Sequence, residues 1–217
     1  NTLRVARNAS DFIAHAERAL GFLLEVVAGR EEARLNYLGV VNGLSDASNQ
    51  QLVFDIGGGS TEFVIGRGFE PIRLESLYMG CVSYSLRYFA DGFVDKQSLR
   101  EAELAARREL DTIAHDYRKL GWDFAFASSG TAKAITDILE LNGFSTGGIT
   151  RAGMDALRQE LIRAGNVSRL SLAGVRADRL PVLAGGFAIL SAIMATLDLD
   201  QVGFSETALR EGVLHDL

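Results

Sequence analysis

The sequence predicts an α/β fold, and three observations predict it. Residues 51–66 read as a strand, a glycine turn and a second strand. Runs with helical spacing alternate with short apolar runs through the rest of the chain. The composition, 47% apolar with two prolines in 217 residues, suits packed cores.

The glycine hairpin organises the chain. An apolar run from Leu52 ends in Asp55, then come Gly57, Gly58 and Gly59, and Ser60, Thr61 and Glu62 open the next run. Glycines reach backbone angles closed to other residues, so their N–H groups can converge on an anion such as phosphate. Asp55 and Glu62 flank the turn, and two carboxylates beside a phosphate would repel it unless a hard cation lay between them. The implied ligand is phosphate with Mg²⁺. The plainer alternative is a tight turn with Ser60 and Thr61 as turn residues. Three consecutive glycines exceed what a two-residue hairpin needs and cost loop entropy unless something approaches the backbone closely.

The other elements follow in order. Residues 2–6 alternate weakly, as a short strand would. Asn8, Ser10 and Asp11 offer caps before Phe12, Ala16, Ala19 and Leu20, which predicts a helix over residues 10–21. Residues 23–28 form an apolar run broken by Glu25 and stopped by Gly29, read as a strand and turn. Arg30 to Arg34 opens a helix with Leu35, Leu38 and Val41 on one face and Gly43 at its end. Its paired Glu31 and Glu32 suit the positive end of a helix whatever else they do. Residues 43–50 are small and polar, which places a lobe boundary there.

After the hairpin, residues 71–75 alternate as a third strand, and a helix ends near Phe89. Leu99, Ala102, Ala106, Leu110, Ile113, Tyr117 and Leu120 make the strongest helical pattern, stopped by Gly121. Residues 122–127 then read as a strand, and Ser128, Ser129, Gly130 and Thr131 turn directly into another helix. That turn is an N-cap on its own terms. Beside the glycine hairpin it is also a second candidate amide cradle. Thr150 caps a helix, residues 166–178 form a polar connection, residues 180–197 a buried helix, residues 201–205 a last strand and residues 206–217 a closing helix.

Composition also excludes. A net charge of −6 argues against a surface built for nucleic acid, so a polyanionic substrate must be held locally. No apolar run reads as long and uninterrupted enough to span a bilayer, and residues 1–4 lack the apolar region of a secretory signal, which points to the cytoplasm. The single cysteine, Cys81, lies in apolar surroundings and reads as core. His15, His115 and His215 lack the clustered spacing of a metal site.

The residues Glu31-Glu32-Ala33-Arg34-Leu35, Asp55 to Glu62, Met79-Gly80-Cys81-Val82-Ser83, Ser129-Gly130-Thr131 and Ala208 to Leu214 together resemble the exopolyphosphatase / guanosine pentaphosphate phosphohydrolase family. The matches run through nearly the whole chain in the family's order. The resemblance implies a ribonuclease H-like (actin-like ATPase) fold, a mixed sheet with flanking helices, in which two lobes face a phosphate-holding cleft. Residues 1–45 would be the end of the first lobe and residues 46–217 the second. Carried over to matching positions, Glu32 would be the general base on water, Asp55 and Glu62 would hold Mg²⁺, and Gly57, Gly58 and Gly59, with Ser60 and Thr61, would cradle phosphate. The implied substrate is inorganic polyphosphate, with guanosine pentaphosphate as the alternative.

The chain departs from the family's pattern in two places. Family members begin with a strand and a first phosphate loop, which nothing before Asn1 supplies, so this chain alone is expected to be inactive and to self-associate, as a homodimer, through residues 1–45. Ala127 stands where the family often has glycine, which weakens the nucleotide-binding reading of the second turn. A phosphotransferase and a non-catalytic polyphosphate or alarmone sensor are the rival classes; free phosphate release and metal-dependent turnover separate them from the hydrolase.

Overall fold

A computed structural model describes residues 2–216. In order, the elements are α1 (Thr2–Val5), α2 (Ala9–Leu20), α3 (Gly29–Asn42), β1 (Gln50–Ile56), β2 (Thr61–Arg67), β3 (Glu70–Leu77), α4 (Cys81–Tyr88), α5 (Lys96–Leu120), β4 (Phe124–Ser128), α6 (Ser129–Leu141), β5 (Ile149–Thr150), α7 (Arg151–Ala164), α8 (Leu180–Leu197), β6 (Gln201–Phe204) and α9 (Leu209–Asp216). The strands form one mixed sheet in the order β3-β2-β1-β4-β6-β5. β1, β4 and β6 run parallel in its middle, and β2 and β3 extend it as antiparallel neighbours of β1.

Strand parity divides the sheet's two faces. Leu52, Phe54 and Ile56 of β1, with Phe63 and Ile65 of β2, enter a large core beneath α4, α5, α6 and α8. The alternate residues Val53 and Val64 enter a smaller core with Ala33, Tyr37, Val40 and Val41 of α3. α3, which precedes the expected boundary at residue 45, thus packs directly on the sheet that follows it. α9 lies against α3 so closely that a Cβ on Gly39 would meet the Ala208 carbonyl, and one on Gly212 the Leu35 carbonyl.

The strongest periodic segment, α5, starts in a capping box in which Asp95 accepts from Ser98 N at 2.7 Å and Ser98 Oγ accepts from Asp95 N at 3.0 Å. α8 has the length and apolarity of a membrane span, contrary to the sequence expectation. It is a core helix, with Leu183, Phe187, Leu190 and Ile193 buried in protein.

Two other expectations fail near the N-terminus. Residues 2–5 form a helical turn instead of a strand, and residues 23–28 are irregular. A strand requires a neighbour for its N–H and C=O groups, and among the described residues no strand runs beside residues 23–28. Leu23 is 87% exposed, whereas Leu35, on the apolar face expected of α3, is buried.

Candidate active site

The site grows out of the sheet's register. Asp55, next to last in β1, pairs with Glu62 on β2, Glu62 pairs with Ser76 on β3, and Asp55 pairs with Ser128 on β4. A row Ser76–Glu62–Asp55–Ser128 therefore crosses four strands at the end where the parallel strands finish, the usual ligand-binding edge of such sheets. The parity that sends Val53 and Val64 to the α3 face puts Asp55 and Glu62 there too. Glu32, in the first turn of α3, overlooks the row.

Hydrogen bonds fix these carboxylates. Glu62 Oε1 accepts from Ser60 Oγ at 2.7 Å and Ser76 Oγ at 2.9 Å. Asp55 Oδ2 accepts from Ser128 Oγ at 2.7 Å. Arg4 reaches over from α1, its Nη2 lying 2.9 Å from Glu32 Oε2 and 3.7 Å from Glu62 Oε1 and donating to Ser60 Oγ at 3.3 Å. Its Nη1 donates to the Val27 carbonyl at 3.3 Å, so the irregular segment before α3 helps to hold the arginine. Glu31 faces away, exposed and paired with Arg34.

Burial dominates the charge balance. It pushes the Glu62 carboxyl up to about 7, with Glu32 and Asp55 adding to the rise and the Ser60 and Ser76 hydroxyls opposing it. Asp55 is raised as well, by burial and then by Glu32, against the Ser128 hydrogen bond. Glu62 Oε2 is buried without a hydrogen-bond partner among the described residues. Two carboxyls held in this way favour a cation. Among the described residues no three His, Cys, Asp or Glu side chains cluster as a metal cage.

The glycine turn is built differently from the sequence expectation. None of Gly57, Gly58 and Gly59 takes a positive φ. The turn is instead pressed onto the start of α4, where Cys81 N donates to the Gly57 carbonyl at 2.9 Å and Val82 N and Ser83 N donate to the Gly58 carbonyl at 3.0 and 3.1 Å. A Cβ on Gly80 would lie 2.3 Å from Gly59 N, so close approach is what demands glycine there. Ser60 and Thr61 are buried, and their hydroxyls serve the fold: Thr61 Oγ1 donates to the Met79 carbonyl at 2.6 Å, and Ser60 Oγ is shared between Glu62 and Arg4.

Asp55, Gly57, Gly58, Ser129, Gly130 and Thr131 line one cavity of about 500 Å³. Glu32, Asp55, Ser129, Gly130, Lys133 and Arg210 line its neighbour, of about 550 Å³. Arg179 borders both. The two amide-bearing turns thus meet at one cleft. Ser129 holds φ 99°, a conformation strained for a residue with a side chain. The Arg179 guanidinium lies against Gly130 in the first turn of α6, 2.7 Å from where a Cβ would sit. A cation at the positive end of a helix is unfavourable alone and favourable with an anion between them.

Sequence reasoning gave no role to Arg4, Ser76, Lys133, Arg179 and Arg210, and took Ser128 only as part of the turn before α6. Cross-strand register supplies the two serines, and no local pattern marks the cations.

Comparisons with known proteins give the family and the fold. The sequence profile of the Ppx/GppA phosphatase family matches residues 1–217. A putative exopolyphosphatase of Haemophilus influenzae is 36% identical over 216 residues, covering 100% of this chain and 67% of that protein. A guanosine-5'-triphosphate,3'-diphosphate pyrophosphatase of Aeromonas hydrophila is 39% identical over 216 residues, covering 100% of this chain and 43% of that protein. The chain therefore spans less than half the length of the Aeromonas relative. The Aquifex aeolicus PPX-GPPA enzyme superposes with TM-score 0.81 at 24% identity, over 100% of this chain and 73% of that one. A Cytophaga hutchinsonii exopolyphosphatase superposes with TM-score 0.84 at 20% identity, over 98% and 71%. At these identities the structures show a shared fold, the ribonuclease H-like, actin-like ATPase fold expected from the sequence.

Proposed function

The chain belongs to the Ppx/GppA phosphatase family, and from that premise we propose that it carries the catalytic face of a hydrolase that releases terminal orthophosphate from inorganic polyphosphate by attack of water. The observation that carries this reading is the convergence of Glu32, Asp55 and Glu62 on one end of the sheet beside two amide-bearing turns. Phosphoryl transfer to water needs a positioned nucleophile and neutralised phosphoryl oxygens more than covalent help.

Glu32 is the general base in this reading. Arg4 takes one of its oxygens and leaves the other for a water in the cleft. The first turn of α6 and the glycine turn, apart from the Gly57 N–H that donates to the Ser60 carbonyl at 2.9 Å, would offer amides to the phosphates, and Arg179 adds a cation between the cavities. Asp55 and Glu62 would hold Mg²⁺, whose charge would neutralise the phosphoryl oxygens; the orphaned Glu62 Oε2 supports that fit. Residues 1–45 are read as the end of a first lobe, with residues 46–217 as the second and α3 docked on it.

Guanosine pentaphosphate is the second reading, favoured by the Aeromonas relative's 39% identity and its stated activity. Phosphate release from the two substrates by the full-length protein, side by side, decides between them. Faster release from polyphosphate supports the first reading. Preference for guanosine pentaphosphate transfers the same chemistry to the second, and transfer to an acceptor hydroxyl without free phosphate refutes both.

A further inference from the structure

The proposed reaction leaves the buried Asn36 in the cleft unused. Asn36 lies four residues after Glu32 on α3, so the two side chains stack on one face of the helix. Both line the cavity of about 550 Å³ that also holds Asp55, Ser129 and Arg179. Asn36 is 4% exposed, and its Oδ1 is buried without a hydrogen-bond partner among the described residues. The helix's other buried positions are Ala33, Leu35, Tyr37, Gly39, Val40 and Val41, and the one polar side-chain group among them, the Tyr37 hydroxyl, is paired with the Gly68 carbonyl at 2.8 Å. A buried acceptor left unpaired is a net cost to folding and calls for an explanation.

We propose that Asn36 is a second catalytic contact on the attacking water, accepting one of its hydrogens at Oδ1 while Glu32 accepts the other. The inference rests on the hydrolase reading above. The buried oxygen needs a donor, and a fully ionised phosphate has none to offer; water does. Side chains one helical turn apart stand ~5–6 Å apart at Cβ, a span that one water donating two hydrogen bonds of ~2.7–2.8 Å can bridge. Both hydrogens are then tied, and the free lone pair of the water is set by two fixed acceptors instead of one. As the water oxygen bonds to the terminal phosphorus, Glu32 takes the proton it already holds by a hydrogen bond. The bridging P–O bond breaks with its electron pair going to the shortened chain. Orthophosphate leaves still carrying the proton that Asn36 bound, and Glu32 returns its own to solvent. Asn36 is unchanged at the end.

The test compares the full-length wild-type protein with Asn36→Leu, close to Asn in shape but without an acceptor, and Asn36→Asp, which keeps one. Phosphate release from polyphosphate gives kcat and KM, and thermal denaturation gives Tm. Asn36→Leu is expected to lower kcat about 10- to 100-fold, the scale of a misplaced reactant, with KM unchanged and Tm equal or higher. Asn36→Asp is expected to retain more activity than the leucine variant and to move the acid limb of its pH–rate profile upward, because a second carboxylate then faces Glu32. A leucine variant with kcat within twofold of wild type overturns the proposal. So does a parallel fall of kcat and Tm in both variants, the mark of a structural amide. Failure of the hydrolase reading shows separately, as a wild-type protein that releases no phosphate, and removes this inference with it.

Discussion

Glu31 and Glu32 are adjacent carboxylates with opposite surroundings. Arg34 pairs with Glu31 at the surface, whereas Arg4 draws Glu32 toward Asp55 and Glu62. Glu32→Gln in the full-length protein is therefore expected to lower kcat about 10²- to 10⁴-fold, with Glu31→Gln near wild type; equal losses would refute the assignment. Glu62 gives a pH signature. Its carboxyl titrates near 7 in the folded chain against an ordinary 4.5, so between those values the unfolded chain has lost a proton that the folded chain keeps. Stability attributable to Glu62 thus falls as pH rises through 4.5–7, by roughly 3 kcal/mol in all, and stays low above. The Tm advantage of Glu62→Gln over wild type should grow from pH 5 to pH 8, and Mg²⁺ should raise the wild-type Tm more at pH 8 than at pH 5. A pH-independent difference would mean that Glu62 is not a buried, raised carboxyl.

What the sequence disclosed at the level of elements depended on where each signal lies. The hairpin, α5 and α8 were legible because their periodicity and end signals lie within the segment itself. Residues 23–28 were not, because an apolar run becomes a strand through a neighbour, and none lies beside it among the described residues. The site divides in the same way. Asp55, Glu62 and the glycines are close in sequence and could be found together, while Ser76 and Ser128 reach them through register and Arg4 through the packing of a distant turn. The left-handed backbone angles expected of Gly57, Gly58 and Gly59 are absent, and the position whose lack of a Cβ lets the turn meet α4 is Gly80. Gly80→Ala tests that contact. It forces a Cβ against the Gly58–Gly59 backbone and should cost about 1–3 kcal/mol of stability with a raised KM for polyphosphate. Unchanged Tm and KM would show that the turn tolerates separation from α4.

Taken whole, the molecule carries a net charge of −6 yet gathers Arg4, Lys133, Arg179 and Arg210 around one end of the sheet. The proposed polyanionic substrate would therefore be drawn by a local field against a repulsive surround, and added salt should raise KM while leaving kcat nearly unchanged, because exposed charges are screened and the buried carboxylates are not. A KM insensitive to salt would place the binding energy in the backbone amides instead. The fold, the family and the convergence of three carboxylates all lead to one central claim, that water held by Glu32 attacks a terminal phosphate. Its most direct test is single-turnover phosphate release from polyphosphate in H₂¹⁸O by the full-length protein and its Glu32→Gln variant. One ¹⁸O in the released orthophosphate, with the rate reduced at least a hundredfold in the variant and polyphosphate binding retained, is the expected result; label in the shortened chain instead, or a variant as fast as wild type, would contradict it.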